Sequence, residues 1–216
     1  MDKYLIDFDS NTELKKDTIH IKYIDSFLSE KQSKRIFDLF ENELEYNTAE
    51  QSSINIGGNK KKIPRQQVAY GDDGTFFRFC NIQVNARSWN GKSKICKTLK
   101  EIKTLVEKET GEKFNFVLIN RYYDGDDYIG PHKDDERDII KNTSIVGVNL
   151  GAKRDMVFTN DYKNTKTKRT HTFPLKGGSL IIIKPPTNSF WYHSIPKDDN
   201  CNDIRISLTF RNMKII

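Results

Sequence analysis

Apolar positions change their spacing partway along this chain. In the first half they recur at intervals of three and four. Ile36, Phe37, Leu39, Phe40 and Leu44 follow Ser29, and Ile95, Leu99, Ile102 and Val106 follow Ser93. That spacing collects an apolar stripe on one side of a helix, and serine is a good N-terminal cap. It predicts helices from about Ser29 to Leu44 and from Ser93 to Gly111, where glycine suits a left-handed stop. Between them, residues 47–62 read as a polar loop ending in Lys60, Lys61 and Lys62.

From Phe114 onward the period falls to two. The alternation predicts strands at Phe114–Tyr123, Ser144–Gly151, Arg154–Thr159, His171–Pro174, Ser179–Lys184, Phe190–His193 and Ile204–Arg211. One more is expected early, at Thr18–Ile24. Helices followed by many short strands define an α+β chain. The arrangement that buries both kinds of element is a double-stranded β-helix, or jelly roll, with the N-terminal helices packed on one sheet. No internal repeat is visible.

At 216 residues and 36% hydrophobic content, the chain suits a single domain with a sizeable core. A net charge of +6 suggests an anionic partner, nucleic acid being the commonest, although surplus lysine also serves solubility. Cys80, Cys96 and Cys201 have neither disulfide-framework nor zinc-site spacing, and read as thiols in a reducing compartment. There is no secretory signal pattern. The longest apolar runs, such as Leu180–Ile183, are too short to span a bilayer, so a soluble intracellular protein without membrane contact is expected.

The densest chemistry lies at His132-x-Asp134. In an extended segment these two side chains point the same way, and a third ligand from a distant strand, His193, would complete a facial triad of two imidazoles and one carboxylate. That set holds Fe(II) on one face and leaves positions open for other ligands. In a chain with four histidines and many aspartates the dyad alone is weak, arising by chance roughly one time in three. Its setting adds weight. In Arg205–Arg211 the alternation places Arg205, Ser207, Thr209 and Arg211 on one face, and Ile206, Leu208 and Phe210 on the other. Two inward arginines need anionic partners, and a dicarboxylate supplies two. 2-Oxoglutarate fits: one end chelates iron and the far carboxylate takes a bidentate cation. The competing reading is a pair of surface arginines on an edge strand.

Four segments carry a resemblance. Phe114-Asn-Phe-Val-Leu-Ile-Asn120-Arg-Tyr122-Tyr-Asp-Gly, Ile129-Gly-Pro-His132-Lys-Asp134-Asp-Glu-Arg, Pro186-Thr-Asn-Ser-Phe-Trp-Tyr-His193-Ser and Arg205-Ile-Ser-Leu-Thr-Phe-Arg211 stand in the order found in the AlkB family. These are iron- and 2-oxoglutarate-dependent nucleic-acid dealkylases. The chain resembles most the animal homologue that repairs duplex DNA, over roughly residues 60–212. The resemblance implies a single dioxygenase domain over 1–216, with an N-terminal extension and helix over about 1–50, a nucleotide-recognition lid over about 51–90, and a jelly-roll core over about 114–212. It implies Fe(II) on His132, Asp134 and His193, with 2-oxoglutarate and O2 as co-substrates. Arg205, helped by Tyr122, would take the far carboxylate of 2-oxoglutarate. Arg211 and Asn120 would take the near one, and Thr209 would support either.

On the substrate side, Tyr70–Phe79 resembles the family's lid, where an aromatic ring stacks on an extruded base. Phe77, Arg78 and Phe79 are the residues implied, although a pair of phenylalanines in a hairpin also reads as core. Asp135 and Glu136 would contact a base made cationic by methylation, as in 1-methyladenine or 3-methylcytosine. Arg65 and the basic clusters would hold phosphates. One departure stands out. Gly57 and Gly58 occupy the place where the duplex-repair homologue carries an aromatic wedge, and glycine cannot fill a base stack. The implied activity is oxidative demethylation of alkylated DNA, single- or double-stranded, by a monomer, nuclear in a eukaryotic source. RNA demethylation, hydroxylation of a protein or small molecule, and a non-catalytic nucleic-acid-binding jelly roll are the alternatives.

Overall fold

The computed structural model describes residues 11–48, 51, 53–56, 59–79, 82–161, 163 and 168–215. The chain opens with a hairpin of β1 (Thr12–Lys16) and β2 (Ile19–Ile24), followed by α1 (Glu30–Glu43). Next come β3 (Ser53–Ile56), β4 (Asn59–Lys62), β5 (Gln66–Gly71), β6 (Phe76–Phe79), β7 (Ile82–Asn85) and β8 (Arg87–Ser88). The second helix, α2 (Lys94–Thr110), leads into β9 (Phe116–Tyr122), β10 (Ile129–His132), β11 (Ile145–Gly151), β12 (Arg154–Thr159), β13 (Thr170–Leu175) and β14 (Leu180–Ile183). A helical turn, α3 (Thr187–Phe190), precedes β15 (Tyr192–Ile195) and β16 (Arg205–Arg211).

Both long helices begin and end for local reasons. Ser29 accepts from the Gln32 backbone N–H while the Gln32 side chain accepts from that of Ser29, a reciprocal capping box. Ser93 accepts from the Cys96 N–H, and Gly111 stops α2 at φ +73°, where its N–H donates to the Glu107 carbonyl.

The strands form two main layers. An eight-stranded sheet runs β1-β2-β14-β11-β16-β9-β5-β8, and a four-stranded sheet runs β10-β15-β12-β13. Alternation then assigns each strand's two faces. Val117 and Ile119, Val146 and Val148, Leu180 and Ile182, and Ile206, Leu208 and Phe210 face the helices. There they pack with Ile36, Phe40, Ile95, Leu99 and Ile102. Arg121 is the charged exception on that side of β9, and its guanidinium donates to both Glu41 oxygens, at 2.7 and 2.6 Å, fastening α1. The opposite face of the large sheet packs Ile21, Tyr23, Ile145 and Ile181 against Phe158, Phe173, Leu175 and Ile195 of the small sheet. The space between the sheets is therefore apolar at one end. At the other it is lined by the polar inward positions of β9, β11 and β16.

Three expectations change. The polar loop over 47–62 contains the β3–β4 hairpin, paired from Ser53↔Lys62 to Ile56↔Asn59. Backbone pairing does not require apolar side chains, and two glycines between short extended runs are a hairpin signal that polarity obscures. β5 is a buried strand of the large sheet that alternation alone does not announce, because both its faces are covered. The strand expected at Phe190–His193 is displaced. Thr187–Phe190 forms a helical turn, and pairing with β10 and β12 resumes at Tyr192.

Leu99 lies fully buried in the helix–sheet layer, so Leu99→Ala leaves a cavity there. The expected cost is about 2–5 kcal/mol of stability, measured by urea unfolding.

Candidate active site

β9, β11 and β16 send alternate side chains into the gap between the sheets. Asn120 and Tyr122 enter from β9, Gly147 and Asn149 from β11, and Arg205, Ser207, Thr209 and Arg211 from β16, all lining one cavity. His132 from β10 and His193 from β15 enter from the small sheet, where they are directly paired in register. Arg65, just before β5, closes the cavity at one side.

His132, Asp134 and His193 each offer a ligand atom, all within 4.8 Å of one another. Asp134 Oδ1 lies 3.6 Å from His132 Nε2 and 3.9 Å from His193 Nε2. His132 Nδ1 is 2.9 Å from the Gly130 carbonyl. A carbonyl only accepts, so Nδ1 carries a proton, and Nε2 is the ring atom turned to the group. Burial, and then the neighbouring His132, push the His193 imidazole down to about 3, so it is neutral near pH 7. Burial alone would raise the Asp134 carboxyl. Arg211 and the two imidazoles outweigh it and hold Asp134 well below the ordinary carboxylate range. A neutral His193 imidazole and an ionised Asp134 carboxylate, with His132 Nε2 turned to the same point, make a donor set of the kind a divalent cation needs.

Arg211 donates from Nε and Nη2 to Asp134 Oδ2, at 3.0 and 2.6 Å. The two carboxylate oxygens are thus divided, Oδ2 to the guanidinium and Oδ1 to the imidazoles. Arg205 is 1% exposed and donates from Nη2 to Asn149 Oδ1 at 2.7 Å. Asn149 is itself held by donating to Ser179 Oγ at 3.2 Å. The Arg205 guanidinium lies over the Tyr122 ring, 5.0 Å from its centroid. Its Nε and Nη1, and Nη1 of Arg211, are buried without a hydrogen-bond partner among the described residues. Arg65 is buried too, donating from Nε to Asn120 Oδ1 at 3.1 Å and from Nη1 to the Tyr128 carbonyl at 3.3 Å.

Three buried guanidiniums therefore face one carboxylate that is firmly ionised. Unsatisfied buried donors and surplus positive charge are costly, and a ligand with two carboxylates relieves both. The cavity residues fit a dicarboxylate as well as a metal ion.

The residues expected at the substrate side are distributed differently. Glu136 sits behind Arg211, its Oε1 3.9 Å from Nη1, and burial pushes its carboxyl up, with the Asp134 charge adding to the effect. Asp135 points outward and is exposed. Phe77 is 2% exposed and packs edge-to-face on Phe116 at 5.8 Å, within a small core with Ala69, Leu118 and Met213. Arg78, on the opposite face of β6, donates to Asp138 at 2.9 Å and lies over the Phe76 ring. Gly57 and Gly58, and the side chain of Phe79, lie outside the described residues.

Two contributors, Asn149 and Asn188, went unread in the sequence, and a third, Arg154, was expected elsewhere. Asn149 had a signal, since it shares an inward face with Gly147. Arg154, expected with Lys153 in a phosphate-holding cluster, is instead 1% exposed and donates to the carbonyls of Asp124, Asp127 and Pro196 at 2.8, 3.0 and 2.6 Å, fixing the loop between β9 and β10. Asn188 pairs with the Asp134 backbone and had no sequence signal.

A double-stranded β-helix with two histidines, an aspartate and inward arginines defines an oxygenase fold, and the comparisons agree. The chain belongs to the 2OG-Fe(II) oxygenase superfamily, whose sequence profile matches residues 20–211. It is a dioxygenase that uses Fe(II) and 2-oxoglutarate. Among curated proteins it is 36% identical over 186 residues to mouse "DNA oxidative demethylase ALKBH2", covering 84% of this chain and 75% of the relative. The human protein of that name is 37% identical over 186 residues, covering 84% of this chain and 69% of the relative. Human "Alpha-ketoglutarate-dependent dioxygenase alkB homolog 3" is 31% identical over 123 residues, covering 53% of this chain and 42% of the relative. The solved structure titled "The structure of OsALKBH1" superposes with a TM-score of 0.55 at 15% identity, covering 93% of this chain and all of that one, a likeness of fold. Among the described residues no helix is long and apolar enough to cross a membrane.

Two outcomes follow from this geometry. Between the ordinary histidine value of 6.5 and about 3, the unfolded chain binds a proton at residue 193 that the folded metal-free protein refuses. Stability of the metal-free protein should therefore fall as pH drops through this window, by about 2 kcal/mol between pH 7 and 5 from this residue. Urea melts at the two pH values should show that increment, and His193→Gln should lack it. If Arg205 grips one end of the dicarboxylate, Arg205→Ala removes a buried charged partner worth about 3–5 kcal/mol. The 2-oxoglutarate concentration for half-maximal turnover should rise at least about a hundredfold. An unchanged titration would place the far carboxylate elsewhere.

Proposed function

We propose that this chain oxidatively demethylates N-alkylated bases of DNA, such as 1-methyladenine and 3-methylcytosine, with release of formaldehyde. The observation that carries this reading is the 36–37% identity, over 84% of the chain, to proteins named DNA oxidative demethylase. The superfamily profile, which matches residues 20–211, spans the His132–Asp134–His193 group and the inward face of β16.

In this reading His132, Asp134 and His193 hold Fe(II), with Arg211 keeping Asp134 ionised and turned. Arg205, backed by Asn149, grips the far carboxylate of 2-oxoglutarate beside Tyr122. The spare N–H of Arg211 and the Asn120 amide meet the near end, and Thr209 supports the same face. Bound together, Fe(II), 2-oxoglutarate and O2 supply the oxidation of an N-methyl group to a hydroxymethyl group, with succinate and carbon dioxide as co-products. The hydroxymethyl adduct then loses formaldehyde.

Glu136 is the carboxyl best placed to favour a base that methylation has made cationic. Its partial burial and the nearby Asp134 charge make its negative charge costly despite Arg211, and a cationic ring offsets that cost. Asp135, being exposed, acts at the mouth. Phe77 shapes the lid from beneath by packing on Phe116, and Phe79 is the ring left to stack on a base. Arg78 fastens the lid hairpin through Asp138. Arg65 acts inside the cavity through Asn120, while Lys62, Lys153 and Arg169 contact phosphates. Gly57 and Gly58 offer no aromatic wedge, so a base already unstacked is the easier substrate.

The test is direct: incubate the protein with Fe(II), 2-oxoglutarate and methylated single-stranded DNA, duplex DNA or RNA of one sequence, and quantify repaired bases by mass spectrometry. The expected result is repair of single-stranded DNA at a rate equal to or above that of the duplex. Asp134→Ala should abolish it. Turnover of 2-oxoglutarate without repair of any polymer would overturn the reading and favour hydroxylation of a protein or small molecule.

A further inference from the structure

Asp134 occupies an awkward place in the backbone. Pairing of β10 with β15 ends at His132↔His193, and residues 133–136 have no regular structure. Asp134 is nevertheless 4% exposed, so its peptide N–H and C=O need partners that no strand provides. Asn188 supplies both. Its Oδ1 accepts from the Asp134 N–H at 3.0 Å and its Nδ2 donates to the Asp134 carbonyl at 2.6 Å. One side-chain amide thus reproduces the pair of bonds that a neighbouring strand would make.

The preceding residue does the same in the other direction. Thr187 Oγ1 accepts from the His20 N–H at 2.7 Å and donates to the His20 carbonyl at 3.1 Å. The turn α3 is therefore a bracket: Thr187 fixes it to β2 of the large sheet, and Asn188 fixes the carboxylate-bearing residue to it. Five residues after Asn188, the same segment presents His193. Lys133 Nζ adds a third tie, donating to the Ser189 carbonyl at 2.6 Å.

This anchoring matters because the Asp134 carboxylate has a strong competitor for the metal position. Arg211 already holds Oδ2 with two donors, and a guanidinium prefers a carboxylate bidentately through both oxygens. A backbone free to rotate would let Oδ1 swing onto Arg211 and leave the imidazoles. Clamped at both its N–H and its C=O, the residue is held where Oδ2 meets Arg211 and Oδ1 lies beside the imidazoles.

We propose that Asn188 is a positioning residue for the metal site, setting its affinity by clamping the Asp134 backbone so that one carboxylate oxygen stays with the imidazoles. The proposal rests on reading His132, Asp134 and His193 as the metal ligands. Its test uses Co(II) alone as the probe, titrated anaerobically into the metal-free full chain and followed by its visible d–d absorption. Asn188→Ala should weaken Co(II) binding about 10- to 100-fold, the range for loss of a group that orients a ligand. Asn188→Ser, which can form one of the two bonds, should fall between and guards against misfolding of the alanine variant. In turnover the loss should appear in the Fe(II) concentration for half-maximal rate, with kcat recovered at saturating Fe(II). Leu99→Ala, destabilised far from the site, should keep wild-type Co(II) affinity. The proposal is overturned if folded Asn188→Ala and Asn188→Ser bind Co(II) as wild type does, or if Leu99→Ala loses affinity as much as they do. His132→Ala separates the two readings. If it too binds Co(II) normally, the triad assignment itself fails; if it alone loses Co(II), only the role of Asn188 falls.

Discussion

The ion pair of Arg211 and Asp134 is the contact on which the rest of the site depends. It joins the two sheets, one partner on β16 of the large sheet and the other just beyond β10 of the small one. Burying either charge alone costs several kcal/mol, and the mutual attraction offsets this only when geometry is good. Here two guanidinium nitrogens share a single carboxylate oxygen. The other oxygen is left in the company of two imidazoles, which is why the pair can belong to a metal site as well as to the fold.

That division requires both partners to be held from behind. Arg211 is fixed because β16 is paired along its length with β9 on one side and β11 on the other. The face it presents is decided by its neighbours: Ile206, Leu208 and Phe210 are fully buried against the helix layer, so Arg205, Ser207, Thr209 and Arg211 must turn to the gap between the sheets. A slip of one residue would exchange the two sets, placing arginines against the helices and leucine against the metal ligands. Helices that never touch the site therefore determine which residues line it. The same alternation puts Gly147 opposite Ile181, where a Cβ would lie 3.0 Å from Ile181 Cγ2. A side chain there would narrow the cavity that the arginines line.

Around the cavity mouth, alternation has separated residues that are adjacent in sequence. Phe77 turns into a small core on Phe116, while Arg78 turns out to Asp138, so one tight hairpin is both packed and tethered. The tether ends on the segment that follows the metal carboxylate, and the isolated bridge of Ile139 with Met213 secures that segment in turn. The β6–β7 hairpin is thereby tied to the segment that follows Asp135 and Glu136. Of those two acids, the partly buried one faces Arg211 and the exposed one faces solvent, although nothing in their side-chain chemistry distinguishes them.

The sequence by itself determined whatever depends on local periodicity or on short spacing. Period-two alternation of Arg205–Arg211 separated four inward from three outward residues, because both faces are buried but one meets the apolar helix layer and the other the polar gap between the sheets. Ser29 and Gly111 marked helix ends because the capping bonds form within a few residues. His132 and Asp134 were legible as a pair because extended residues two apart share a face. Tertiary structure alone decided what depends on contacts between distant segments. Asn149, Arg154 and Asn188 satisfy guanidiniums, carbonyls and a peptide group 27 to 56 residues away, and an isolated polar side chain carries no mark of such a partner. Phe77 was expected on the base-stacking side of the lid, and it was the arrival of Phe116 from β9 that packed it into a core instead. The triad became a metal site only when pairing of β10 with β15 brought His193 into register with His132, a registry set by backbone hydrogen bonds.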